Sequence, residues 1–208
     1  MRLASRKLLI GFAAVLSVFA VASLSASAQN ADPVRLNPSM TSTAGLILQE
    51  YEGELRMRRP RATNEPVAAP SFRIKVDRKF GASTSFFMGM EDIAPGDKIR
   101  LHHHPHAEEI LFVHRGTGIV RLGAREVTVR AGATVYIPRN VSVGLRNTGD
   151  EPLSLVFIFS EPDGMSGQMR SGSVGEGEPL LPFTPEELAA RNARAGEHII
   201  FDEPNTPR

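Results

Sequence analysis

GDKIRLHHHPHAEEILFVHRG, residues 96–116, is the stretch whose reading decides the fold. Four of the six histidines fall between positions 102 and 106, and two carboxylates, Glu108 and Glu109, follow at once. Lys98, Ile99, Arg100 and Leu101 alternate charged and apolar, the period of a half-buried strand. Side chains two apart on a strand share a face, so His102 and His104 are expected on one side and His103 on the other. Pro105 has no N–H to give a ladder and ends or bends the strand. The apolar run Ile110 to Val113 starts directly after Glu109. If it folds back beside the first strand, Glu109 enters at the rim of the same sheet. Two imidazoles and a carboxylate then converge, a ligand set that Fe, Mn, Ni, Cu or Zn accepts. The competing reading is an exposed polar loop that collects metal by accident. The flanking glycines and the fixed offset of the carboxylate favour the site.

The stretch resembles the first motif of the cupin superfamily: Gly, five residues, His-x-His, four residues, Glu, six residues, Gly. Gly96, His102, His104, Glu109 and Gly116 fill every position. The second motif should follow shortly after, and GATVYIPRNVSVGLRN, residues 132–147, resembles it. Gly132, Pro138 and Asn147 match. Asn140 stands where the family has Gly, and Asn tolerates a left-handed turn better than most residues. Val143 stands where the family places its last metal-binding His. The resemblance therefore implies a divalent transition metal on His102, His104 and Glu109, with three matched ligands and not four. His106 is an alternative fourth ligand, although Pro105 lies between it and His104.

Residues 1–28 read as a secretory signal peptide cut after Ala28. Arg2, Arg6 and Lys7 form a basic start, Leu8 to Leu24 is apolar without charge, and Ala26-Ser27-Ala28 is a small-residue cleavage signal. The alternative is an uncleaved anchor, since the run approaches the length of a span. The expected location is the periplasm or the exterior. Removing the three basic residues of 1–28 leaves 21 Lys+Arg against 23 Asp+Glu, a net charge of about −2. A near-neutral mature chain offers no field for nucleic acid. There is no cysteine, so an exported protein of this kind is held by its core alone.

Residues 29–70 read as an N-terminal arm, broken by Pro33, Pro38, Pro60, Pro66 and Pro70, with Leu46-Ile47-Leu48 as a candidate edge strand. Arg56, Arg58, Arg59 and Arg61 cluster there; a solvated or salt-bridged arm is favoured over an anion site. From Ser71 to Ser160 short strands alternate with turns. They are expected at 72–76, 84–90, 98–101, 110–113, 119–122, 126–129, 134–137, 141–145 and 153–159. Strands of this length and spacing, without βαβ alternation or repeats, spell a sandwich or barrel. Residues 71–160 are thus the expected barrel core, a double-sheet jelly roll in agreement with the resemblance. Residues 161–208 are expected to hold a loop (162–177), a short helix and a closing strand. Thr184 with Pro185 and Glu187 makes a capping box for a helix over 185–195, ended by Gly196. His198 to Phe201 is apolar enough to add an edge strand. His198 is read as a packing or surface histidine, and Met165 with Met169 as flexible packing and not a copper site.

No serine lies in a G-x-S-x-G context, and the glycines at 116 and 118 sit in an expected hairpin, not before a helix. No residue is singled out as catalytic, and no organic cofactor is expected. The resemblance implies small-molecule chemistry at one metal, dioxygenase-like above isomerase-like. The alternative is a non-catalytic module that binds a small ligand with weak or no metal. An arm of this sort packs across a neighbour in dimeric cupins, so a homodimer is expected, with no nucleic acid partner and no membrane after cleavage.

Overall fold

The alternating segments fold as antiparallel strands, because each buries its apolar side chains on one face only. The computed structural model describes residues 45–60, 71–79, 85–160, 162–195 and 198–202. The expected signal peptide, its cut after Ala28, Arg61 and Gly196 lie outside these. Among the described residues the strands are β1 (Glu54–Arg58), β2 (Ser71–Val76), β3 (Phe87–Ile93), β4 (Lys98–His103), β5 (Glu109–Arg115) and β6 (Thr117–Leu122). They continue as β7 (Arg125–Arg130), β8 (Thr134–Ile137), β9 (Val143–Asn147), β10 (Leu153–Phe159), β11 (Ser173–Gly175) and β12 (Ile200–Phe201). Two helices, α1 (Pro162–Ser171) and α2 (Pro185–Ala195), lie late in the chain.

One sheet has the order β11-β1-β2-β3-β10-β5-β8 and the other β12-β4-β9-β6-β7. This is a double-stranded β-helix, or jelly roll, as the cupin resemblance implied. Consecutive strands β4 and β5 fall in different sheets. The expectation that Glu109 joins the sheet of His102 is corrected: the chain between them crosses from one sheet to the other. Crossing lets both sheets point side chains into one interior.

The interior is packed by Phe72, Ile74, Phe87, Val113, Leu153 and Leu155, all essentially buried. Phe87 stacks 6.0 Å from Phe159 and tilts 5.4 Å from Phe157. Burying one such ring contributes about 1.5–3 kcal/mol. The turns carry their own logic. Gly116 has φ 88°, and a Cβ there would lie 2.8 Å from the Pro152 carbonyl oxygen. Asn140 takes φ 61°, the left-handed turn expected where the motif has Gly.

Several local expectations change. The segment 162–177, read as a loop, holds α1 and β11. Its two glycines hide the helix, yet Met165 and Met169 sit one turn apart and are both buried. Arg170 anchors its end to Glu54 at 2.6 Å and Asp77 at 2.5 Å. Burial decides here against propensity. The arm contributes β1, which composition concealed, between β2 and β11. Residues 46–48 form no strand, and Ile47 is exposed. Beside them the Lys75 ammonium donates to the carbonyls of Gln49 (2.6 Å), Glu50 and Glu52, which fixes a turn. Strand β3 runs three residues later than expected, and β9 starts at Val143 because the turn through Asn140 consumes Val141 and Ser142.

The described arginines of the basic cluster are ion-paired. Arg58 meets Glu91 at 2.8 Å, Arg59 meets Glu187 at 2.8 Å and Arg56 meets Glu54 at 3.1 Å. The capping box of α2 is formed, with Glu187 N–H donating to Thr184 Oγ1 at 3.2 Å and Thr184 N–H to the Glu187 carboxylate at 2.9 Å. Among the described residues no helix is long and apolar enough to cross a membrane.

Candidate metal centre

Strand β4 delivers His102 as its penultimate residue, and His104 follows just past its end. Glu109 opens β5, where its register partners are Ile137 on β8 and Phe159 on β10. The three side chains come from opposite sheets and meet inside. One ligand atom from each lies within 4.8 Å of the other two. His104 Nε2 stands 3.4 Å from Glu109 Oε2. Two ligands of a single ion at bond lengths of about 2.0–2.2 Å stand about 3–4 Å apart, so this pair is already spaced for one.

The other ring nitrogens are committed. His102 Nδ1 lies 2.7 Å from the Arg100 carbonyl and His104 Nδ1 lies 3.0 Å from the His198 carbonyl. A carbonyl only accepts, so each Nδ1 carries the proton and each Nε2 presents a lone pair. The rings stand nearly perpendicular, 4.9 Å apart, with Phe159 edge-on to His104 at 5.0 Å.

The electrostatics fit a cation. Burial, aided by the neighbouring His104, pushes the His102 imidazole down to about 4, so it is neutral and able to ligate at ordinary pH. Burial raises the Glu109 carboxyl above its usual range, with His104 working against that rise. His104 Nε2 and Glu109 Oε2 are both buried without a hydrogen-bond partner. Buried polar atoms rarely go unsatisfied, and an ion between these two would satisfy both. The residues present therefore fit a divalent metal.

The other candidates fall outside the cluster. His103 turns away, its Nδ1 2.9 Å from Asp202 Oδ1 on the far side of β4. His106 is exposed, its ring centroid 6.4 Å from that of His198, and it does not join the three. Val143 is buried and pairs directly opposite His102 in the β4–β9 ladder. Paired residues point to one face of a sheet, so its isopropyl group shares the interior with the ligands. Met165 and Met169 pack in the core.

Residues 89–159 match the family model of the cupin domain. This chain contains a cupin domain. Its cupin segment is 40% identical over 75 residues to Protein SchB of Streptomyces halstedii, covering 36% of this chain and 54% of that protein. It is 37% identical over 78 residues to Polyketide synthase CurC of Streptomyces cyaneus, covering 38% and 51%. The chain thus spans about half the length of the curated relatives it matches. A solved Klebsiella pneumoniae protein with a double-stranded beta-helix domain superposes with TM-score 0.41 at 20% identity, covering 50% of this chain and 84% of that one.

Some parts of this cupin's site carry no mark in the sequence. The carbonyls of Arg100 and His198 set the ring tautomers, and the Asn140 N–H donates to the His104 carbonyl at 3.0 Å. Backbone groups have no residue signature. The apolar run His198 to Phe201 was the one available hint, as an expected edge strand.

Proposed function

We propose that this cupin binds one divalent transition metal through His102 Nε2, His104 Nε2 and Glu109, and acts there on a small organic molecule. The observation that carries the reading is the orphaned pair, His104 Nε2 and Glu109 Oε2, buried 3.4 Å apart with both Nδ1 protons already spent on carbonyls. A metal on two imidazoles and one carboxylate keeps open positions and supplies Lewis-acid or oxygen-activating chemistry when bound. The chain's own part is to hold the His102 imidazole neutral, to keep the proton of both rings on Nδ1, to keep water from them with Phe159 and Val143, and to aim Glu109 from the opposite sheet. Dioxygenase-like turnover is the leading activity. The name of the polyketide synthase CurC supports a polyketide-like substrate.

The test is elemental analysis of the purified protein with oxygen uptake on small phenols and keto acids. About one metal per chain is expected, and His104→Ala should weaken binding by more than the 10- to 100-fold that outer-shell changes cost. Metal content unaffected by His102→Ala and His104→Ala overturns the site.

A second reading, non-catalytic binding of a small ligand, is favoured by Val143, which sets an apolar group where a fourth ligand would stand. Ligand titration without oxygen uptake or product release would select it. The reading also includes export, supported by residues 1–28. A mature N-terminus at Gln29 by mass spectrometry tests it. It includes a homodimer, since β7 and β8 end their sheets without a further strand among the described residues. A monomer by light scattering at micromolar concentration removes that.

A further inference from the structure

Residues 198–202 wrap the outside of the metal centre. Strand β12 pairs with β4 so that Phe201 lies opposite His102 and Ile200 opposite His103. The Asp202 N–H donates to the Leu101 carbonyl at 3.0 Å, and the Asp202 carboxylate accepts from His103 Nδ1 at 2.9 Å. The Phe201 ring sits 5.9 Å from that of His102, under the Arg100 guanidinium at 4.0 Å. The His198 carbonyl holds the Nδ1 proton of His104. Five consecutive residues therefore touch all three histidines of the 102–104 run, although none of the five is a ligand.

The segment's own stability is small. Its strand has two residues, each 37% exposed. Ordering a residue costs about 1–2 kcal/mol of backbone entropy. A short, half-exposed edge element against that cost opens locally far more often than the core does. When it opens, His104 loses the acceptor that fixes its tautomer, and the ring is then free to carry its lone pair on the wrong nitrogen or to swing from the ligand direction. A ligand bound only by the docked form must in turn hold that form closed, and by the same factor.

We propose that residues 198–202 are positioning residues of the metal centre: the segment orients His104 through the His198 carbonyl and braces His102 through Phe201, so that docking of β12 and metal binding strengthen each other. The coupling rests on the metal reading above. It makes the C-terminal strand the place where anything that displaces it would release the metal.

The test uses the full chain and Zn(II), which is diamagnetic. Asp202→Pro removes the N–H on Leu101 and the carboxylate on His103 without touching a ligand. Asp202→Asn keeps both contacts and serves as the conservative control. Zn(II) affinity, by competition with a chelator, should fall about tenfold in Asp202→Pro and stay within about twofold in Asp202→Asn. In the parent, Zn(II) should slow hydrogen exchange of the Asp202 amide by a similar factor. In the metal-free proteins, imidazole nitrogen NMR should show His104 as the Nδ1–H tautomer in the parent and as a mixture in Asp202→Pro. If proline disturbs the fold, as thermal melting would show, Phe201→Ala leaves every backbone bond and should still weaken Zn(II) by about threefold. Unchanged affinity in a folded Asp202→Pro or Phe201→Ala, with Asp202 exchange indifferent to Zn(II), overturns the proposal. A parent that takes up no zinc overturns the metal reading and the coupling with it; the His104 tautomer then still decides whether the segment orients the ring.

Discussion

The two motif segments, 96–116 and 132–147, lie side by side and use the same turn devices, but only the first brings candidate ligands. In the first, Gly96 and Gly116 take left-handed turns, and His102, His104 and Glu109 converge. In the second, Gly132 and Asn140 take the turns at φ 90° and 61°. Asn147 is buried; its Nδ2 donates at 2.8 Å to the carbonyls of both Ile93 and Glu151, and its Oδ1 accepts from Gly149 N–H at 2.9 Å. Its backbone N–H reaches the Asp97 carbonyl at 2.9 Å, and the Asn140 N–H holds the His104 carbonyl. At the ligand position stands Val143. The difference teaches that the second motif does two separable jobs. It stitches the first motif in place through backbone and Asn147, and it does so without contributing an imidazole.

The largest effect expected of breaking that contrast is at Asn147. Asn147→Leu strands two carbonyls and an N–H, and should cost about 3–4 kcal/mol of stability in urea denaturation. A loss below about 1 kcal/mol would show that the stitch is not made.

Next comes the pH response of the first motif in the metal-free protein. His102 is held at about 4 in the fold against about 6.5 unfolded. As pH falls below 6.5 the unfolded chain takes a proton that the folded one refuses, so stability declines until about pH 4 and is then level. Glu109, raised by burial, gives some stability back as it protonates, so the clean measurement is in Glu109→Gln. There the decline over that window should be about 3 kcal/mol, read from melting at stepped pH. A flat profile would mean that His102 is not buried as a neutral ring.

Val143→His tests the contrast at its one chemical difference. It lies opposite His102, and a fourth imidazole there should tighten metal binding about tenfold, about 1.4 kcal/mol. Any reaction that needs the filled position should slow at the same time. Overpacking is checked by the melting midpoint without metal. Unchanged affinity in a folded variant would separate Val143 from the ligand sphere. The double variant with His106→Ala then shows whether that exposed histidine has any part.

The smallest effects belong to Asn140. Asn140→Gly should be within about 0.5 kcal/mol of the parent, and Asn140→Ala should cost about 1 kcal/mol, because a Cβ without a local hydrogen bond is strained at φ 61°. Equal stabilities would remove the turn argument.

Much of the fold was legible because strand periodicity and turn residues are local. Nine expected strands recur as β2 to β10, with shifts of a few residues at β3 and β9. Helix α2 was legible from Thr184, Pro185 and Glu187, whose bonds lie within one turn. Helix α1 was not, since Gly164 and Gly167 disfavour it and only the burial of Met165 and Met169 explains it. Strand β1 was hidden for a like reason: its arginines read as solvated until Glu54, Glu91 and Ser173 stand beside them.

By itself the sequence determined the candidate ligand types, their spacing, the turn positions and the presence of a cupin domain, because these depend on residue identity over short separations. The tertiary structure decided the rest. It placed Glu109 in the sheet opposite His102, set both ring tautomers with backbone carbonyls, put Val143 across from His102 and laid β12 over the centre. Each of these joins residues far apart in the chain through groups that every residue carries, so no residue code could announce them.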